Sequence, residues 1–276
     1  IQDKDRIDLC DIPVYSIDPM GCKDADDAFS IFEKEEKMWL AIHIADPTYY
    51  IKLNSDLWKN ILERTITHYP SNRTPIHMMP NKILEFSSLM ENSEGNIKHA
   101  VTIITEINPA SYLPCGVVKL LFTIIKVNAR NTLTYNQAAE LLAEKNPILE
   151  KGILIMNALK ETRKTIRIKL NSRPVSCIIY DAGYPQFRKD SWNIYLMKQM
   201  ISEFAIFANS FVGSYLRHYL DGIGIFRTCH TDGWSSEVSD TASGSDLMAQ
   251  IIDNGISANY LSSILSHDLV GKDEYC

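Results

Sequence analysis

The chain has 276 residues, 45% of them hydrophobic and 22% charged, a globular composition long enough for one large domain or two small ones at ~150 residues each. Twenty-eight Lys and Arg against 34 Asp and Glu leave a net charge of −6. That excludes a uniformly basic nucleic-acid coat, so a polyanion would have to be met by a local basic surface or by a bound cation.

The balance argues equally against a membrane surface. The most apolar stretch, 116–127, is interrupted by Lys119 and Lys126 and falls short of the ~20 apolar residues a span needs. The opening IQDKDRIDLC carries charges where a secretory leader places its apolar core. Cys10, Cys22, Cys115, Cys177, Cys229 and Cys276 are scattered, with no C-x-x-C spacing. Together these features lead us to expect a cytoplasmic protein with reduced thiols.

In chain order, the first elements read as strands: PVYSID (13–18), then KMWLAIHIAD (37–46), where Met38, Leu40, Ile42 and Ile44 share one parity in the pattern of a half-buried strand. Ser55 is placed to cap a helix carrying Leu57, Trp58, Ile61 and Leu62. Pro70, Pro75 and Pro80 make the segment from Tyr69 to Pro80 an extended loop. HAVTIITEIN (99–108) and the run 116–127 read as paired strands of an antiparallel or mixed sheet.

From Thr134 the period becomes helical. Thr134 and Gln137 have capping-box spacing. Residues 151–170 carry a basic stripe of Lys160, Arg163, Lys164 and Arg167, whose plain reading is a solvated helix face, and 196–220 reads as a central helix with Met200, Phe204, Phe207, Phe211 and Tyr215 at core spacing. The Ser- and Gly-rich stretch near 232–246 reads as a flexible loop, followed by two short helices separated at Gly255. The expectation is a mixed α+β domain over 1–276, mainly strand over 1–130 and mainly helical over 131–276.

The chemistry concentrates in SIDPMGCKDADDAF (16–29), where Asp18, Asp24, Asp26 and Asp27 lie between two strands. Convergence of all four requires an irregular turn, for which Pro19 and Gly21 are suited. An Asp-rich turn is often merely solvated. An EF-hand is excluded by residue order, which leaves a hard-cation site for Mg²⁺, or for Mn²⁺, completed by water and substrate phosphate. Glu203 falls on an otherwise apolar helix face, where an unpaired carboxylate is costly, so a polar pocket or a structural ion pair must receive it. His43 and His230 read as ordinary core or loop histidines.

The spacing D-x5-D-x-D-D resembles the catalytic motif of the ribonuclease II / ribonuclease R family, the RNB domain. RIDL (6–9), LAIHIADPTYYI (40–51), ERTITHYPSNRTPIHMMP (63–80), LTYNQA (133–138), MISEFAIFAN (200–209) and FRTCH (226–230) resemble further family segments, in the family's order. The resemblance implies an RNB-type fold, a sheet carrying the aspartates with a helical half flanking an RNA channel. It also implies Mg²⁺-dependent 3′-to-5′ hydrolysis of single-stranded RNA to nucleoside 5′-monophosphates. By position, Asp18, Asp24, Asp26 and Asp27 would hold metal, with Asp26 catalytic. Tyr69 would pack on the terminal nucleotide, Tyr135 would contact RNA further along, and Glu203 would touch the terminal ribose. The family also has a C-terminal arginine loop, and this sequence has no arginine after Arg227. The chain is therefore expected to be C-terminally incomplete relative to the family and weak as a nuclease alone. The rival expectation is an inactive RNB-like module that binds RNA or a protein.

Overall fold

The computed structural model describes residues 3–68, 70, 74–166, 176–181, 184–219, 225–229 and 258–262. They fall into two compact units, Ile1–Leu154 and Ile155–Cys276.

The first unit is built on a five-stranded mixed sheet. Its strands are β1 (Ile7–Asp8), β3 (Asp27–Lys34), β4 (Lys37–Ala45), β5 (Ile97–Ile107) and β6 (Lys119–Lys126), with β2 (Ser16–Asp18) lying outside it. The order is β1-β6-β5-β4-β3. β1 runs parallel to β6 and the remaining pairs are antiparallel. The alternation read over 37–46 holds, with Met38, Leu40 and Ile42 buried, but the opposite parity is covered too, since Ala41 and His43 are fully buried. β4 is therefore buried on both faces rather than half-buried. His43 is a satisfied core histidine: its Nε2 lies 3.0 Å from the Ser30 hydroxyl and its Nδ1 2.8 Å from that of Thr102. Burial draws its pKa down to about 3, so it stays neutral.

The register puts Phe29, Ile42 and Ile103 on one face. On the other, Ala28, Ala100 and Ile125 pack with Val14, Ala25, Leu89 and Val127. The N-terminal segment is fastened to the sheet by a buried ion pair in which Arg6 donates to the Asp46 carboxylate at 2.6 Å.

α1 (Asp56–Arg64) starts where Ser55 accepts the Trp58 amide, as expected, and buries Ile61. Pro80 precedes a short helix absent from the sequence reading, α2 (Asn81–Ser87). β7 (Thr132–Thr134) leads into α3 (Tyr135–Ala143), whose capping box of Thr134 and Gln137 is complete. α4 (Pro147–Ile166) follows.

In the second unit, β8 (Ser176–Asp181) and β9 (Tyr184–Lys189) form an antiparallel pair. α5 (Trp192–Tyr219) buries Met200, Phe204 and Glu203. β10 (Ile225–Cys229) pairs antiparallel with β11 (Ala258–Ser262). Among the described residues α3, α4 and α5 keep 131–276 mainly helical, the two strand pairs being additions to that reading, while β11 corrects the second of the two short terminal helices. A five-residue segment such as Asn-Tyr-Leu-Ser after Ala258 has no periodicity of its own, and its pairing with a distant strand decides its state. The loop near 232–246 and Arg167 lie outside the described residues, as do the side chains of Arg163 and Lys164. Lys160 of the basic stripe donates to Gln199 at 3.1 Å. Among the described residues no helix is long and apolar enough to cross a membrane.

Candidate metal centre

The aspartates sit on a loop between the end of β2 and the start of β3. Asp18 closes β2, and the chain then turns back, with the Cys22 amide donating to the Pro19 carbonyl at 3.1 Å. Gly21 occupies the left-handed position of that turn at φ 84, which a residue with a Cβ takes only with strain. Beyond the turn the loop backbone is pinned from outside. The Leu89 amide donates to Ala25 at 2.9 Å and the Ala45 amide to Asp26 at 2.8 Å, while the Ser88 hydroxyl donates to Lys23 at 3.4 Å. Ala25 is fully buried in the apolar cluster with Leu89. Asp24 and Asp26 flank that anchor, and Asp27 opens β3.

A second element reaches the same place. β2 pairs in parallel with β7, with Asp18 opposite Thr134, so Tyr135, the next residue, comes to stand beside the acids. Burial, and then the charges of Asp27 and Asp18, push its phenol up to about 12, leaving it protonated at neutral pH.

The carboxyls are electrostatically frustrated. Burial, followed by the charge of Asp27 and the smaller effects of Asp26 and Asp24, raises Asp18 to about 6, against a partial offset from the Cys22 thiol. Asp27 is raised by burial and by Asp26. Asp26, although solvent reaches it, is raised by the protein around it and then by Asp24. Asp18 Oδ2 is buried and makes no hydrogen bond. Cys22, which the sequence reading left among the scattered thiols, donates toward Asp18 Oδ1 at 3.8 Å and Asp24 Oδ1 at 3.9 Å. Its position inside the aspartate run was the one available signal.

A cation would relieve this arrangement. No three His, Cys, Asp or Glu side chains among the described residues close into a metal cage of their own. Mg²⁺ commonly takes only one or two carboxylates and completes its shell with water and phosphate, so hard oxygen donors and an orphaned buried carboxylate oxygen fit such an ion. The structure thus brings Asp18, Asp24, Asp26, Asp27 and Tyr135 together. Tyr69 lies outside the described residues, and Glu203 belongs to the second unit, where it is 3% exposed.

Comparison with known proteins gives this loop its context. The sequence profile of the RNB domain matches residues 6–268. The chain belongs to the RNB domain family. Ribonuclease R of Aquifex aeolicus is 29% identical over 233 residues, covering 78% of this chain and 31% of that relative. The chain therefore spans about a third of that RNB protein's length. Among solved structures, Mycoplasma genitalium RNase R in complex with ribose-methylated single-stranded RNA matches at TM-score 0.68 and 18% identity, over 91% of this chain and 42% of that one. Yeast Ssd1, described as a pseudonuclease, matches at TM-score 0.62 and 16% identity, over 82% of this chain and 28% of that one. The α+β architecture is thus an RNB-type fold.

Proposed function

We propose that this RNB domain is the catalytic part of a divalent-metal-dependent 3′-to-5′ exoribonuclease, acting in the cytoplasm on single-stranded RNA and releasing nucleoside 5′-monophosphates. The observation that carries the reading is the orphaned Asp18 oxygen, in a carboxyl pushed up by burial and by the charges of Asp27, Asp26 and Asp24, on the loop whose motif resembles that of the family's nucleases. Mg²⁺, or Mn²⁺, held by Asp18, Asp24, Asp26 and Asp27 would supply charge to the scissile phosphate and acidify an attacking water.

The chain's own residues hold the parts in place. Ala25 and its amide and carbonyl contacts fix the backbone on which the acids stand. The Tyr135 phenol, protonated at neutral pH, stands close enough to the acids to feel the charges of Asp27 and Asp18, beside the place where a phosphate or ribose would lie. Tyr69 stacks on the terminal nucleotide and limits the end product, and Glu203 contacts the terminal ribose.

The test is incubation of 5′-labelled single-stranded RNA with the chain and Mg²⁺, with a chelator as control, resolved at single-nucleotide length. Stepwise shortening from the 3′ end that stops with chelator supports the reading. The fold it shares with a pseudonuclease makes the binding-module alternative concrete: RNA retained but uncut, with or without metal, even when the chain is fused to the family's C-terminal arginine loop, favours that alternative.

A further inference from the structure

Lys98 is a buried charge that the proposed chemistry leaves without a task and that, unlike Arg6, has no carboxylate partner within ion-pair distance among the described residues. It lies on β5, is 1% exposed, and occupies the same sheet face as Ala100, two residues along the strand. Its ammonium donates to neutral oxygens: the Glu85 carbonyl at 3.3 Å and Asn92 Oδ1 at 3.1 Å. The Asn92 amide group donates to the same Glu85 carbonyl at 2.7 Å. Taking an ammonium out of water is expensive even when it is hydrogen-bonded, and burial draws Lys98 below the usual lysine range. An apolar residue would fill that site more cheaply, so the charge serves a specific geometry.

That geometry is the segment 85–92. Glu85 lies in the last turn of α2, where carbonyls lack helical partners and a cation is favoured. Through Glu85 and Asn92, Lys98 clamps both ends of a short stretch that contains Ser88 and Leu89. Those two residues supply the hydrogen bonds to Lys23 and Ala25 that fix the acidic loop. The path from Lys98 to the residues flanking Asp24 is thus continuous: ammonium, segment 85–92, loop backbone.

We infer that Lys98 is a positioning residue for the metal centre, holding segment 85–92 so that Ser88 and Leu89 set the loop on which Asp24 and Asp26 stand. The inference rests on the metal reading given under Proposed function. Its loss acts on the metal site from outside, where such supporting partners typically matter by ~10–100-fold in affinity or activity.

The experiment is a calorimetric Mn²⁺ titration of the full chain, well below its melting temperature, comparing wild type with Lys98→Met, which keeps the apolar stem, and with Lys151→Met, which removes a surface lysine paired with Glu33. Hydrogen exchange at the Leu89 amide is followed in parallel. Lys98→Met is expected to weaken Mn²⁺ binding about 10-fold and to speed Leu89 exchange, with Lys151→Met unchanged in both. Should Lys98→Met fail to fold, Asn92→Ala removes the other half of the clamp and is expected to shift both readouts in the same direction. Wild-type Mn²⁺ affinity in a folded Lys98→Met protein, or in Asn92→Ala where Lys98→Met does not fold, overturns the inference. No Mn²⁺ binding by the wild type overturns the metal reading instead.

Discussion

Asp18 and Tyr135 are neighbours because two short strands, β2 and β7, pair in parallel with Asp18 opposite Thr134. The pairing delivers the N-terminal residue of α3 to the acidic loop, and the capping box at Thr134 and Gln137 fixes the angle at which it arrives. The charge of Asp18 reaches the phenol. Burial first, and then the charges of Asp27 and Asp18, push the phenol up to about 12, so it stays a neutral donor beside the acids and adds no charge to compete with a cation.

In an active form that carries the family's C-terminal arginine loop, Asp26→Asn should separate chemistry from binding. Asn keeps the size and one oxygen but loses the charge. Hydrolysis is expected to fall by at least ~10³, as when an electrostatic catalytic group is removed. Binding of single-stranded RNA, which is spread over many phosphate and stacking contacts, should persist or tighten. Turnover and binding measured on one preparation check this; near-normal turnover excludes Asp26 from catalysis.

Asp18 makes stability depend on pH and on metal with a definite sign. Its folded pKa, about 6, lies above the ordinary aspartate value of 3.8. Its favourable contribution is therefore complete below the ordinary value and is lost as pH rises through 6. In chelator, wild type should gain on Asp18→Asn by roughly 2–4 °C in Tm between pH 7 and pH 5, a modest figure because solvent still screens the group. His43, lowered to about 3, acts in the opposite direction in both proteins and cancels in the difference. At pH 7, millimolar Mg²⁺ or Mn²⁺ should raise the wild-type Tm and move the variant less. Parallel melting curves at both pH values would remove Asp18 from the cluster.

Arg6→Met should be among the most damaging substitutions away from the site. The Arg6 and Asp46 side chains are 2% and 3% exposed, and loss of one partner of a buried pair typically costs ~3–5 kcal/mol, or roughly 10 °C in Tm. Burial alone would raise the Asp46 carboxyl, but the hydrogen bonds from Thr48 and Arg6 outweigh it and leave it lowered. That stabilisation is present above the ordinary aspartate range and is lost as pH falls through the depressed value. The gap between wild type and variant should thus narrow in acid unfolding below about pH 4. A gap that stays constant to pH 2 would contradict this.

Tyr69→Ala bears on the end product. If its ring stacks on the terminal base, worth ~1–3 kcal/mol, the variant of any active form should release a longer final oligonucleotide while degrading long RNA at a near-normal rate. Sequencing-gel analysis of limit products checks this, and an unchanged ladder removes Tyr69 from the site.

By itself the sequence determined the local parts of this protein. The alternation of Met38, Leu40 and Ile42 marks a strand because side chains repeat every second residue. Ser55 and Thr134 mark helix starts because their oxygens meet orphan amides. The run from Asp18 to Asp27, with Pro19 and Gly21 inside it, marks an acidic turn. The ordered segments that resemble the RNB domain carried the family, which the profile match over 6–268 bears out. What only the tertiary structure decided is non-local. Nothing near Tyr135 in sequence tells that β7 lies beside β2. Lys98 lies just before the strand read over 99–108 and draws no notice until its ammonium is held by Glu85 and Asn92, and Cys22 is one thiol among six until the turn at Gly21 aims it at two carboxylates. The physical reason is common to all three. Periodicity and capping are settled within a few residues of chain, whereas burial and partner choice are settled by whichever distant segment packs against them.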